Sequence, residues 1–342
     1  MRVADLTEEQ LLARIVPELP AGAATLLGPG DDAAVVAAAD GRFVATTDVL
    51  VEDRHFRRAW SSGEDVGRRA AVQNLADVAA MGAVPTSLVV TLVVPAELDV
   101  DWVVGLARGL AAECGPLGAG VVGGDLSGGP LVVVGVAAHG DLQGRAPVLR
   151  SGARDGDVVA HAGVLGWSAA GLAALSARAA HAPARFVEAY LRPRSPLAAG
   201  PDAARAGATA MMDVSDGLLK DAGRLARASG VRVDLDRGAL APAADALADV
   251  ARGLDADPWA WVLGGGEDHG LLATFPAGTE LPAPFRVIGR VIGRVIGRVV
   301  DGAVGGVVGR GEPAGDDEPA VTLDGEAPGV ATGWDHFAGR TG

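Results

Sequence analysis

Short apolar runs alternate with amphipathic stretches along the first 150 residues, and this pattern predicts alternating strands and helices. Thr7-Glu8-Glu9-Gln10 is a capping-box pattern ahead of Leu11, Leu12, Ile15 and Val16, so a short helix opens the chain. A Gly-rich loop, Gly28-Pro29-Gly30-Asp31-Asp32, precedes strands expected at Ala33–Ala37 and Arg42–Thr47. The spacing predicts a helix over Gly63–Met81, ended by Gly82 and Pro85. A strand at Ser87–Val94, a helix at Val100–Cys114 and strands at Gly120–Val122 and Leu131–Ala138 follow. This order has the signature of an α/β (α+β) fold. The turn-rich stretch Gly140–Gly156 marks a boundary between domains of residues 1–145 and 146–342.

The second half starts with a strand expected at Val158–His161, then Gly163-Val164-Leu165-Gly166 and a helix over Ser168–Ala180. Pro193, Pro196 and Pro201 interrupt the middle. A strand at Ala210–Val214 feeds a helix over Gly217–Ala228, stopped at Gly230. Trp261–Leu263, Gly270–Phe275 and Arg286–Val300 read as strands around a Gly264-Gly265-Gly266 turn. Val-Ile-Gly-Arg occurs three times in tandem from Val287 to Arg298, too short a unit for a solenoid, and reads as a local duplication lengthening a strand or its loop. Residues 301–329, rich in Gly, Pro and acids, read as a weakly ordered connection.

Length and charge narrow the function. The 342 residues suffice for two cored domains, and 49% apolar with 21% charged residues is ordinary for a folded soluble protein. A formal charge of −14 argues against a nucleic-acid surface, yet carboxylates can hold metal ions that in turn hold phosphates. Lys220 is the only lysine, which disfavours P-loop and Schiff-base chemistry. The lone Cys114 forbids an intrachain disulfide or a thiolate zinc cluster and fits a reducing compartment. With no basic-apolar leader pattern and no run of eighteen apolar residues, the expectation is a cytoplasmic protein without membrane contact.

Aspartates recur beside apolar or Gly runs. Asp48 follows Ala45-Thr46-Thr47, Asp125 follows Val121-Val122-Gly123-Gly124, and Asp213 follows Ala210-Met211-Met212, positions expected at strand ends where α/β sheets bind ligands. Asp77 lies three residues after Asn74 on one face of an Ala/Leu/Val-rich helix, where an unmatched carboxylate is costly unless a metal or hydrogen bonds compensate. Hard oxygen donors without His or Cys partners favour Mg²⁺ over zinc.

Six segments in order carry a resemblance: Gly-Pro-Gly-Asp-Asp-Ala-Ala (28–34), Thr-Thr-Asp-Val-Leu-Val-Glu-Asp-Arg-His-Phe (46–56), Asn-Leu-Ala-Asp-Val-Ala-Ala-Met-Gly-Ala (74–83), Gly-Gly-Asp (123–125), Asp-Val-Ser-Asp-Gly-Leu (213–218) and Gly-Gly-Glu-Asp (265–268). Together they resemble the thiamine-monophosphate kinase family of the aminoimidazole-ribonucleotide synthetase-like ATP-binding superfamily. The resemblance implies a two-domain α/β enzyme, a homodimer paired through its N-terminal sheets, that uses ATP to phosphorylate thiamine phosphate. It further implies several Mg²⁺ ions held by Asp32, Thr46, Thr47, Asp48, Asp77, Asp125, Asp213 and Asp216. ATP contacts are implied at Gly124, Asp125, Arg150 and Ser215, and thiamine phosphate contacts at His55, Glu267 and Trp334. No side chain is implied as base or nucleophile, because a phosphate acceptor is already ionised at neutral pH.

The chain departs from the family at His269-Gly270, where Tyr-Glu is usual, at Trp167, and in the tripled block. Within the superfamily, no Cys before Cys114 and no terminal Cys argue against selenophosphate synthetase and hydrogenase-maturation activity. Aminoimidazole-ribonucleotide synthetase stays open at this point, as does a non-catalytic Mg²⁺–nucleotide-binding paralogue, although the motif aspartates are all retained.

Overall fold

The computed structural model describes residues 1–28, 34–179, 183–294 and 320–330. The N-terminal half comprises α1 (Glu8–Ile15), β1 (Thr25–Leu27), β2 (Val35–Val36), β3 (Val44–Val51), α2 (Gly63–Ala80), β4 (Val84–Val94), α3 (Val100–Cys114), β5 (Gly120–Gly128) and β6 (Val133–Asp141). The capping box forms as read: Thr7 Oγ1 accepts from Gln10 N, and Gln10 reaches back to Thr7 N. β3, β6, β4 and β5 make a four-stranded sheet in that order, with β4 and β5 parallel and the other pairs antiparallel.

α2 and α3 pack so closely that their contact excludes side chains. A Cβ at Gly67 would stand 2.1 Å from Leu106 O, and one at Gly109 would stand 2.2 Å from Glu64 O. Leu75, Leu88, Leu110, Val134 and Val136 join the core between these helices and the sheet.

The other half contains β7 (Val158–Ala162), α4 (Trp167–Ser176), α5 (Ala184–Leu191), α6 (Ala199–Arg205), β8 (Ala210–Val214), α7 (Leu218–Ser229), β9 (Val231–Leu235), α8 (Arg237–Gly253), α9 (Pro258–Gly264), β10 (Gly270–Phe275), β11 (Arg286–Arg294) and β12 (Val321–Leu323). Six strands form one sheet in the order β12-β9-β11-β7-β10-β8. Val159, Met212, Leu272 and Ile288 pack with α7, α8 and α9 in one core. Ala160, Met211, Leu271 and Phe275 pack in another cluster with Ala80 of α2 and Ala203 of α6. Helix α2 therefore lies between the two sheets and touches both.

Several expectations need correction. Trp261–Leu263 belongs to α9, because Asp257 caps Pro258 at the first helical position and accepts from Trp259 N. β3 continues to Val51 and β5 to Gly128, so Asp48 and Asp125 lie inside strands; pairing with β6 and β4 persists past the apolar runs. Only Asp213 sits near a strand end. α4 stops at Ser176, and Pro201 lies inside α6. The stretch read as a weakly ordered connection contains β12, which pairs in parallel with β9. The first two Val-Ile-Gly-Arg copies are strand β11, whereas the third lies outside the described residues.

Candidate active site

The carboxylates gather where α2 meets both sheets. Thr46 and Asp48 share one face of β3, two residues apart, and Thr46 Oγ1 donates a 2.8 Å bond to Asp77 Oδ2 on α2. Thr47 points the other way and donates to Val136 O at 2.9 Å. Burial, together with the charges of Asp213 and Asp48, pushes the Asp77 carboxyl up to about 6. Asp48 reaches solvent at the surface, yet the protein around it removes enough water to raise its carboxyl above the usual range. Asp213, buried on β8, stands 3.6 Å from His269 Nδ1. Asp48 and Asp213 thus each repel Asp77 across the seam. Asn74 on the same helix is fully buried, and its Oδ1 has no hydrogen-bond partner among the described residues.

The 265–269 loop faces this group. Glu267 and His269 both hold left-handed backbone, φ 70° and 52°, which costs free energy for non-glycine residues. Glu267 N donates to Ser215 O and His269 N to Val214 O, so the loop is laid against the end of β8. Asp268 fastens it from behind by accepting from Gly166 N and Ser168 N at the start of α4. Burial pushes the Asp268 carboxyl up to about 7. Neither ring nitrogen of buried His269 meets a hydrogen-bond partner among the described residues. The departure at Gly270 has a packing reason, since a Cβ there would stand 2.4 Å from His161 Nε2. Trp167, the other departure, meets Phe186 edge-to-face at 5.3 Å.

The remaining candidate residues fall in distinct places. Ser215 does not cap α7, whose N-cap is Gly217. Asp216 pairs with Lys220 at 3.1 Å and Arg224 at 2.6 Å. His55 follows β3, and its Nδ1 accepts from Val51 N at 3.0 Å. Gly124 and Asp125 line a half-open cavity of about 1060 Å³, together with residues of α1, α3 and β4 and with Ala34, Val36, Ala37 and Ala38. Arg150 is exposed beside the start of β8. Asp32 and Trp334 lie outside the described residues. Arg69, Asp221 and Asp268 were not among the sequence candidates. Asp221 is fully buried beside Asp216, and burial with the Asp213 charge pushes it up to about 6.

Two family models match the chain: the AIR synthase related protein N-terminal domain over residues 30–142 and the corresponding C-terminal domain over residues 154–309. The thiamine-monophosphate kinase of Mycobacterium tuberculosis is 51% identical over 285 residues, covering 83% of this chain and 85% of that protein. The chain belongs to the thiamine-monophosphate kinase family. The enzyme of Corynebacterium glutamicum shares 38% identity over 319 residues, with 90% of this chain and 88% of that protein covered. The crystal structure of thiamine monophosphate kinase from Aquifex aeolicus superposes with a TM-score of 0.71 at 30% identity, covering 95% of this chain and 99% of that one. A related structure complexed with AMPPCP and TMP reaches 0.73 at 30% identity, covering 98% and 99%.

The donor set fits a hard divalent cation. It is made of carboxylate and hydroxyl oxygens whose mutual repulsion a cation would relieve. Among the described residues no three His, Cys, Asp or Glu side chains close around an ion by themselves.

Proposed function

We propose that the chain transfers the γ-phosphoryl group of ATP to the phosphate of thiamine phosphate, giving ADP and thiamine diphosphate by direct in-line displacement. The observation that carries this reading is the carboxylate group Asp48, Asp77 and Asp213 at the junction of the two sheets, in a chain whose family members are thiamine-monophosphate kinases. Asp48, Asp77 and Asp213 would hold Mg²⁺ there, which would supply positive charge to offset that of the transferring phosphoryl group. Asp32, Thr46, Thr47, Asp125 and Asp216 complete the proposed ligand set, Thr47 and Asp125 from the sheet face opposite Asp48. Thr46 fixes the Asp77 carboxylate by its hydrogen bond and leaves the second oxygen for a cation. Gly124, Asp125, Arg150 and Ser215 are proposed to meet the nucleotide, and His55, Glu267 and Trp334 the thiamine phosphate. Packing against β4 also requires a glycine at 124, since a Cβ there would collide with Val90 O at 2.0 Å. No side chain need remove a proton, because the acceptor oxygen is already anionic.

A homodimer is part of this reading, and the sheet order supports it. β3 and β5 are the two edges of the four-stranded sheet, so Asp48 and Asp125 stand three strand spacings apart, about 14 Å. The register places Asp48 in one row with Val136, Val90 and Gly124, whereas Asp125 shares a row with Thr91, Gly135 and Val49. Asp125 therefore faces away from Asp48, toward the open face where Val49 and Val89 are exposed. A second copy on that face would bring its own Asp125 to the β3 edge. We also take the division at 145/146 as the domain boundary. A cytoplasmic location is the expected setting; among the described residues no helix is long and apolar enough to cross a membrane.

The direct test incubates the purified protein with ATP, Mg²⁺ and either thiamine phosphate or free thiamine. Thiamine diphosphate should form from the first and no monophosphate from the second. Efficient phosphorylation of free thiamine would overturn the reading, since a hydroxyl acceptor needs a base.

A further inference from the structure

Arg69 of α2 is among the largest fully buried side chains, at 2% exposure, and a buried guanidinium must be matched by charge and acceptors. It is matched by three segments distant in sequence. Nη1 donates to His55 O at 2.5 Å, in the turn after β3. Nη2 donates to Tyr190 O at the end of α5, and the guanidinium carbon lies 4.5 Å from the centre of the Tyr190 ring. The third partner is Glu267, whose Oε2 stands 3.7 Å from Nη1. That oxygen is buried and has no hydrogen-bond partner among the described residues, so attraction to Arg69 is what favours its inward placement. The Glu267 side chain is 38% exposed, so part of it still opens to the cleft.

We propose that Arg69 is a positioning residue for the acceptor substrate, holding Glu267 and the His55 turn in one fixed arrangement while itself remaining covered. This rests on the reading of His55 and Glu267 as thiamine phosphate contacts. Two features of the chain favour the role. Glu267 sits on strained backbone, which the surroundings must over-determine for its carboxylate to keep one orientation. A planar fork can engage two carbonyls and a carboxylate together, which the point charge of a lysine cannot. One turn earlier on the same helix, Asp65 pairs with Arg192, so the end of α5 is already tied to α2 without Arg69.

The test is a double-mutant cycle read as binding. Dissociation constants for thiamine phosphate, with AMPPCP and Mg²⁺ present, are measured for the wild type, Arg69→Gln, Glu267→Gln and the double variant, with melting temperatures alongside. Arg69→Gln should weaken thiamine phosphate binding about 10-fold while changing AMPPCP affinity less than about 2-fold. In the Glu267→Gln background the same substitution should cost at least about 3-fold less than in the wild type, because only the His55 turn is left for Arg69 to hold. Arg69→Lys, which keeps the charge beside Glu267, should recover part of the affinity. If Arg69→Gln does not fold, the cycle is run with Arg69→Lys, and a smaller loss that shrinks further in the Glu267→Gln background is expected. Equal losses in both backgrounds, or a lower melting temperature with unchanged affinities, would overturn the role. A wild-type protein that binds no thiamine phosphate would remove the functional reading as well, whereas wild-type binding without coupling removes only Arg69.

Discussion

Thr46 Oγ1 and Asp77 Oδ2 meet at 2.8 Å, a bond that joins the edge strand of one sheet to the helix lying against the other. Asp77→Asn keeps an oxygen for that hydroxyl and nearly the same shape but removes the charge. Activity at saturating Mg²⁺ should fall at least about 100-fold, because the proposed cation would lose a ligand. The melting temperature without ligand should hold or rise, since Asp213 and Asp48 repel the native carboxylate. A thermal scan and a turnover assay of the same preparation check both.

Asp48 and Asp125 lie on opposite edges and opposite faces of the four-stranded sheet, so in the proposed dimer a site using both would draw them from two copies. Asp48→Asn and Asp125→Asn should each be nearly inactive alone. Co-expressed and co-purified, mixed dimers should regain one intact site each, since both substitutions then fall in the same site. Partial recovery is the expected outcome; mixtures as inactive as either variant would mean that each chain builds its own site.

Asp268 carries the pH prediction. Its folded carboxyl is held at about 7, against an ordinary 3.8, mainly by burial. The folded state then binds the proton more tightly than the unfolded chain does, so this group's contribution is full below pH 4 and is lost as pH rises toward 7. Asp268→Asn, still able to accept from Gly166 N or Ser168 N, should flatten that fall. Melting temperatures of the two proteins from pH 4 to pH 8 give the comparison.

The α2–α3 seam predicts a purely structural effect. Gly67→Ala places a methyl group against Leu106 O and must push the helices apart, at a cost of about 1–3 kcal/mol. Urea unfolding should shift to lower midpoint with an unchanged slope.

Much of the fold could be read from local pattern because its cues are local: the Thr7–Gln10 box, the stop at Gly82, the apolar run of β8. β9 and α8 were not anticipated, and α9 was mistaken for a strand because Trp261-Val262-Leu263 is short, apolar and compatible with either. Asp257 and Pro258 ahead of it were the available helix signal. The aspartates of the site were visible as a repeated motif type. Arg69 and Asp268 were not, because their roles arise from partners such as Tyr190 and Gly166 that lie 121 and 102 residues away. Strand limits misled for a related reason: a polar residue on an open sheet face, such as Asp125, is still held extended by its paired neighbour.

Helix α2 touches both sheets and carries Arg69 and Asp77 on a single rigid rod. Eight residues of α-helix advance about 12 Å, and no loop can stretch or shorten that interval. In the proposed roles, the distance from the group gripping Glu267 to the carboxylate that would face the phosphates is therefore a fixed gauge. An acceptor whose phosphate is carried on a longer or shorter arm would satisfy one end and miss the other. Discrimination by length would then be written into helical pitch, and a phosphorylated analogue with one additional methylene in its side arm should occupy the cleft yet be turned over poorly.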